Sequence, residues 1–237
     1  MIVFWRLFLA LCLTDFVFFH HTISDLQKTH RFGAMAIRTG TFIVLSFLFC
    51  HAYLGMAWPF FGLIDLTGWV CLILFALFHG FSDYYFNFGG KIAHGYLLSF
   101  LIKNAVNLLF LFLIAPLHTL YETGHFFAEH WIIFLVGLFT CTRVLGWFIF
   151  SIEQDRYGRD YPTFDERWML MMVRAIFFLI MLLPGVRWLV LSLIWLGTCL
   201  YARRLRLMDI SNWAFYAGVV GSVLVGFLVR LRFYLVG

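Results

Sequence analysis

Two carboxylates and a histidine, Asp15, His79 and Asp83, stand inside long apolar runs of this chain. His79 and Asp83 are four residues apart, so on a helix they project from one face, one turn from each other. Lys103, with Asn104 and Asn107 close by, interrupts another apolar run, as do Arg143 and Arg174, and His20, His21, Asp25 and His30 crowd one short polar segment. A charged side chain within a bilayer is costly unless it is paired or hydrated, so each of these needs a reason. Carboxylate plus imidazole is a ligand set for Zn, Mn or Fe, here Asp15, His79 and Asp83 with His21 as a further ligand or general base, and equally a proton relay. The same carboxylates could neutralise Lys103 or an arginine, giving intramembrane ion pairs built on Lys103, Arg143 and Arg174 that hold helices together.

A second set follows the spacing i, i+4, i+7, i+11: His118, Glu122, His125 and Glu129. On one helix, which Pro116 is well placed to start, all four fall within roughly 40–60° of one another. Two imidazoles and two carboxylates offer an outer metal site or a pH-sensitive docking face, or simply a stripe turned to water. Gly124 weakens that helix by about 1 kcal/mol. His51 could add one more imidazole. A divalent metal is thus the cofactor the residue types allow. Haem is disfavoured, because His51 with His118 and His79 with His21 lack the repeated spacing of bis-histidine bundles. Nucleotide-binding loops, a GxSxG elbow and HExxH are absent. The five cysteines (Cys12, Cys50, Cys71, Cys141, Cys199) are scattered through apolar segments with no CxxC pair, and read as buried and inert.

These residues must be positioned by a chain that is 63% hydrophobic and 12% charged over 237 residues. Amphipathic helices of a water-soluble fold would place a polar residue every three or four positions, yet stretches such as 41–54, 131–139 and 177–183 carry none that is charged. The composition predicts an all-α, polytopic transmembrane bundle forming one integral membrane domain, with the lipid bilayer as its solvent. About 20 apolar residues cross the hydrocarbon core, and that length places about eight spans (seven if the last does not cross fully) near 2–19, 36–57, 67–87, 96–117, 131–150, 167–183, 186–202 and 213–230, joined by short loops. All four prolines fall at span ends, where a missing N–H costs least. Pro184-Gly185 predicts a tight hairpin between spans six and seven. The start of the chain reads as a retained first helix, since no small-x-small cleavage site follows it.

The net charge of +5 comes from fourteen arginines and three lysines. Their position beside the spans is a topogenic signal and gives no reason to expect nucleic acid as a partner. Lys28, Arg31, Arg38, Lys91, Arg156, Arg159, Arg167, Arg203, Arg204 and Arg206 flank odd-numbered loops, against Arg6, Arg187, Arg230 and Arg232 elsewhere. This bias places odd loops in the cytoplasm and the N-terminus outside. It also brings Asp15, His79, Asp83 and Lys103 to one depth near the inner leaflet. The loop 153–167, EQDRYGRDYPTFDER, is the one strongly polar stretch, a solvated connector or a docking surface.

Over roughly its first 155 residues the chain resembles a family of bacterial polytopic membrane proteins of unknown function. The likeness lies in Asp15-Phe16, in His79-Gly80-Phe81-Ser82-Asp83, in His118, and in Arg143-Val144-Leu145-Gly146-Trp147 with Glu153. The family pattern has a histidine where Leu11 stands, a glutamine at Phe19, and acidic and amide residues at Pro116 and Leu117. The resemblance implies the inner (plasma) membrane of a bacterium, and the missing histidine implies a member without metal chemistry. The leading expectation is a non-catalytic subunit or scaffold packed against other membrane-protein subunits, for which the aromatic content of 21% is suited. The alternatives are a metal-dependent hydrolase acting on a lipid-linked substrate at the cytoplasmic face, and a transporter or proton-conducting subunit using Asp15, Lys103 and Arg143.

Overall fold

The computed structural model describes residues 2–18, 31–86, 95–116, 128–158, 164–205 and 211–235. These are mostly helical. Helix α1 (Ile2–Cys12) runs into a π-helical turn, Leu13–Phe18, and α2 spans Arg31–Cys50. Strands β1 (Ala57–Phe60) and β2 (Ile64–Thr67) precede α3 (Gly68–Tyr85) and α4 (Tyr96–Ile114). Helix α5 (Glu129–Phe139) passes through a second π-helical turn, Thr140–Val144, into α6 (Leu145–Tyr157). Helices α7 (Phe164–Met181), α8 (Arg187–Arg204) and α9 (Asn212–Leu235) follow. The chain forms two compact units, 1–136 and 137–237, and the division falls within α5.

Four helices are long and apolar enough to cross a membrane: Phe32–Tyr53, Tyr96–Ile114, Glu129–Tyr157 and Asn212–Tyr234. Four of the eight expected spans thus coincide with helices of sufficient length and apolarity among the described residues. The other four segments miss that measure for local reasons. The first expected span is broken into α1 and its π turn. α3 carries His79 and Asp83, α7 carries Asp165, Glu166, Arg167 and Arg174, and α8 carries Arg187, Arg203 and Arg204. Expected boundaries also move: α2 begins at Arg31 and ends at Cys50, where 36–57 was expected, and α6 continues to Tyr157. Glu153–Tyr157 thus leaves the expected loop for a helix that ends at Gly158, whose φ of 61° allows its amide to reach Gln154 O at 3.0 Å.

In the first unit α2 packs on α3 and on α1, and α4 packs on α3 and α1. Phe42, Phe75 and Leu72 are fully buried. The β1–β2 hairpin was not expected. Its antiparallel register pairs Ala57 with Thr67 and Phe60 with Ile64. Phe61 (φ 54°) and Gly62 (φ 68°) turn it, and the Phe61 amide donates to Leu113 O of α4 at 3.2 Å. Trp58 is fully buried and donates through Nε1 to Tyr53 O at 3.0 Å. The close seat of its ring explains Gly68: a Cβ there would lie 2.7 Å from Trp58 Cε2.

In the second unit α7 lies between α8 and α9, with Val173, Phe177, Cys199 and Phe215 at its core. α7 and α8 form the tight hairpin expected at Pro184-Gly185, with Gly185 at φ 67°. The orphan carbonyls at the end of α7 accept from an arginine. Arg230 Nη1 donates to Met181 O at 3.1 Å and Leu183 O at 2.9 Å, and Nη2 donates to Gly185 O at 3.2 Å. The first unit uses the same device, Arg6 Nη1 donating to Phe49 O at 2.9 Å near the end of α2. The last carbonyls of a helix have no intrahelical partner, and here a side-chain donor supplies one. Two arginines counted from sequence as topogenic are therefore committed to capping helices.

Candidate functional site

The first unit brings Asp15, His79, Asp83 and Lys103 together, from α1's π turn, α3 and α4. Asp15 is delivered by local chemistry: Thr14 Oγ1 bonds back to Ala10 O at 2.8 Å, an insertion into the main-chain ladder that accompanies widened turns. His79 Nε2 lies 3.2 Å from Asp15 Oδ1, and Lys103 Nζ lies 3.2 Å from Asp15 Oδ2 and 2.6 Å from Asp83 Oδ1. Arg38 Nη1, from α2, donates to both Asp83 oxygens at 2.7 Å. The residue missed from sequence is Arg38, because an arginine at a span edge reads as a topogenic charge. The signal available was two carboxylates against one lysine, which left a cation to be found.

The imidazole of His79 is fully buried, stacked on Phe75 at 6.3 Å and tilted against Phe42 at 5.6 Å. Asp83 is 2% exposed. Two carboxylates thus face the Lys103 and Arg38 cations, with His79 beside Asp15, in a buried network that ties four helical segments. Buried pairs of this kind hold only when the remaining oxygens and protons are also satisfied, and removing one partner strands a charge. The Lys103 ammonium bridges the two carboxylates, so a divalent ion at the same oxygens would sit beside a like charge. Among the described residues no three His, Cys, Asp or Glu side chains converge as a metal-ligand group. Both polar atoms of Asn107, one turn from Lys103, and Nδ1 of His79 are buried with no hydrogen-bond partner among the described residues.

His21, His118, Glu122 and His125 lie outside the described residues, as do His20, Asp25 and His30. Glu129, the last member of the outer stripe, opens α5. Arg143 and Arg174 belong to the second unit and Lys103 to the first, where Lys103 pairs with Asp15 and Asp83. Arg143 stands in the second π turn beside Thr142, whose Oγ1 bonds back to Leu138 O at 2.7 Å, repeating the Thr14-Asp15 arrangement. Its guanidinium lies 5.9 Å from the Trp168 ring centroid. Arg174 is buried between two glycines: a Cβ on Gly146 would lie 2.9 Å from Nη1 and one on Gly218 2.9 Å from Nε. Cys141, also buried, donates to Ser222 Oγ at 3.1 Å and Arg174 O at 3.4 Å. All five cysteines are free and buried. Glu153 accepts a hydrogen bond from the Ser211 hydroxyl. Compared with known proteins, the chain matches no family model, no curated protein and no solved structure.

Proposed function

We propose that this chain is a multi-pass protein of the bacterial inner membrane, with its N-terminus outside, that acts as a non-catalytic subunit or scaffold within a larger membrane complex. The observation that carries this reading is the closure of the Asp15–Lys103–Asp83–Arg38 network. The chemistry-bearing residues of α1 to α4 neutralise one another and hold those helices in register, a use of buried charge that favours one packing over others. Apolar side chains on the outside of the helices, such as Val44, Leu77, Leu193 and Leu228, give lipid or neighbouring subunits a surface to cover. Four further segments beyond the four longest apolar helices complete the eight crossings in this reading, with Arg6 and Arg230 set aside from the charge count because they cap helices. Carbonate extraction tests membrane integration, and extraction in mild detergent followed by native electrophoresis tests the assembly. A band well above the mass of one chain, with partners identified by mass spectrometry, is expected. A partner-free monomer overturns the subunit reading.

A proton-conducting role is the second reading, favoured by the buried Nδ1 of His79 and amide of Asn107. Ordered water at those groups would extend the network along α3 and α4. Reconstituted protein should then pass protons in a pH-jump assay, and Asp15→Asn should abolish the flux; equal flux from both forms excludes the role.

A further inference from the structure

We propose that the β1–β2 hairpin is a lipid-contact element whose apolar tip rests at the boundary between the headgroups and acyl chains of one leaflet. Strand pairing sorts its side chains onto two faces, since neighbours along a strand point oppositely. Trp58 opposite Leu66 and Phe60 opposite Ile64 form one face, which is wholly apolar. Ala57 opposite Thr67 and Pro59 opposite Asp65 form the other, which carries the carboxylate of the hairpin. The apolar face is seated on protein at one end only. Trp58 is fully buried there, whereas Ile64 is 62% exposed and Leu63, in the turn, 85%. The apolar surface thus continues past the edge of its protein support.

Three observations name lipid as what covers that overhang. The first is depth. The Phe61 amide bonds to Leu113 O, and the Phe61 ring meets Phe110 edge-on at 5.4 Å, so the turn is level with the last turn of α4. With 19 residues, α4 is about 28 Å long, close to the thickness of the hydrocarbon core, which puts its ends near the two boundaries. The second is the backbone. A two-stranded sheet leaves its outer edges unpaired, and those N–H and C=O groups need water, so the hairpin does not sink into hydrocarbon. Its apolar face, in turn, is out of place in bulk water. Lying flat at the boundary, apolar side inward with Asp65 and Thr67 outward, satisfies both demands. The third is the local composition. Residues 51–67 contain no lysine or arginine, while Trp69, 43% exposed at the start of α3, stacks on Phe47 at 5.5 Å. Half-exposed tryptophan at this level is what interfacial belts use, and the lack of positive charge fits lipid met at its acyl region rather than an anionic headgroup. The inference rests on the membrane placement proposed above.

The test places one fluorescent reporter on each face of the hairpin in the full chain. The five native thiols are buried, so NBD-maleimide applied to folded protein labels an introduced cysteine, with the unsubstituted chain as background. Ile64→Cys and Asp65→Cys are adjacent, exposed and on opposite faces, and unchanged thermal unfolding verifies their fold. Each is placed in phosphatidylcholine nanodiscs, with or without lipid bearing a doxyl group near the top of its acyl chain. Doxyl lipid should quench position 64 about twofold or more over position 65, and aqueous iodide should show the reverse order. Leu63→Cys, at the most exposed position of the turn, repeats the measurement and must follow position 64. Equal quenching at 64 and 65, or iodide reaching 64 as readily as 65, overturns the seated hairpin. A position 64 shielded from doxyl and iodide alike overturns the lipid assignment, because another protein surface then covers the tip. Carbonate extraction separates the two kinds of failure. A chain that stays in the membrane yet quenches equally refutes the hairpin's seat, whereas a chain released by carbonate refutes the membrane reading itself.

Discussion

Lys103 bridges Asp15 and Asp83, and its removal should be the most damaging single change in the first unit. Lys103→Met leaves two buried carboxylates facing Arg38 and should cost about 3–5 kcal/mol, read as a fall in thermal unfolding temperature in detergent. Asp83→Asn strands a cation instead. The double variant with both changes restores balance, Asp15 against Arg38, so its loss should be smaller than the sum of the singles; strict additivity would mean the pair does not interact. Asp15, His79, Asp83 and Lys103 were legible in the sequence because charge within an apolar run is rare and must be answered. Arg38 was not, since the same residue type at a span edge has a commoner explanation. Nor could spacing reveal that Thr14 and Thr142 bend the ladder just before Asp15 and Arg143, although each threonine directly precedes its charged neighbour.

Elements in this chain meet closely at glycine. A Cβ on Gly137 would lie 2.7 Å from Val229 and 2.8 Å from the Phe178 ring, so Gly137→Val should destabilise by about 1–3 kcal/mol. Gly197, on the exposed face of α8 with open space around it, should accept alanine with unchanged or slightly raised unfolding temperature. Arg230→Gln removes the donors to three carbonyls beyond α7 and should cost about 1–3 kcal/mol, with hydrogen exchange rising first at residues 181–185; unaltered exchange there would refute the capping role. Helix existence was readable from apolar runs and proline positions. The β1–β2 hairpin was not, because its strands are only four residues long and Pro59 interrupts the first. The extent of α6 escaped as well, since a polar run reads as a connector until its C-terminal glycine is known to close a helix.

At the scale of the whole molecule, all five thiols are buried in helices from both units, so together they report on packing everywhere at once. Native protein in mild detergent should resist a small maleimide at every cysteine and react at all of them after denaturation in SDS. Reaction at more than one thiol before unfolding would mean that the helices pack otherwise. Composition was enough to foresee helices apolar enough to cross a membrane, whereas whether α3, α7 and α8 join them turns on the charges they carry, which no running average resolves.

The nesting of Arg174 between Gly146 and Gly218 has a genetic consequence. Three positions far apart in the chain are coupled: a larger residue at either glycine obliges the Arg174 guanidinium, the movable end of a long side chain, to shift, and a short residue at 174 removes that demand. Saturation libraries should therefore show larger residues at 146 or 218 enriched in backgrounds that have lost the arginine, and equal tolerance in both backgrounds would refute the coupling.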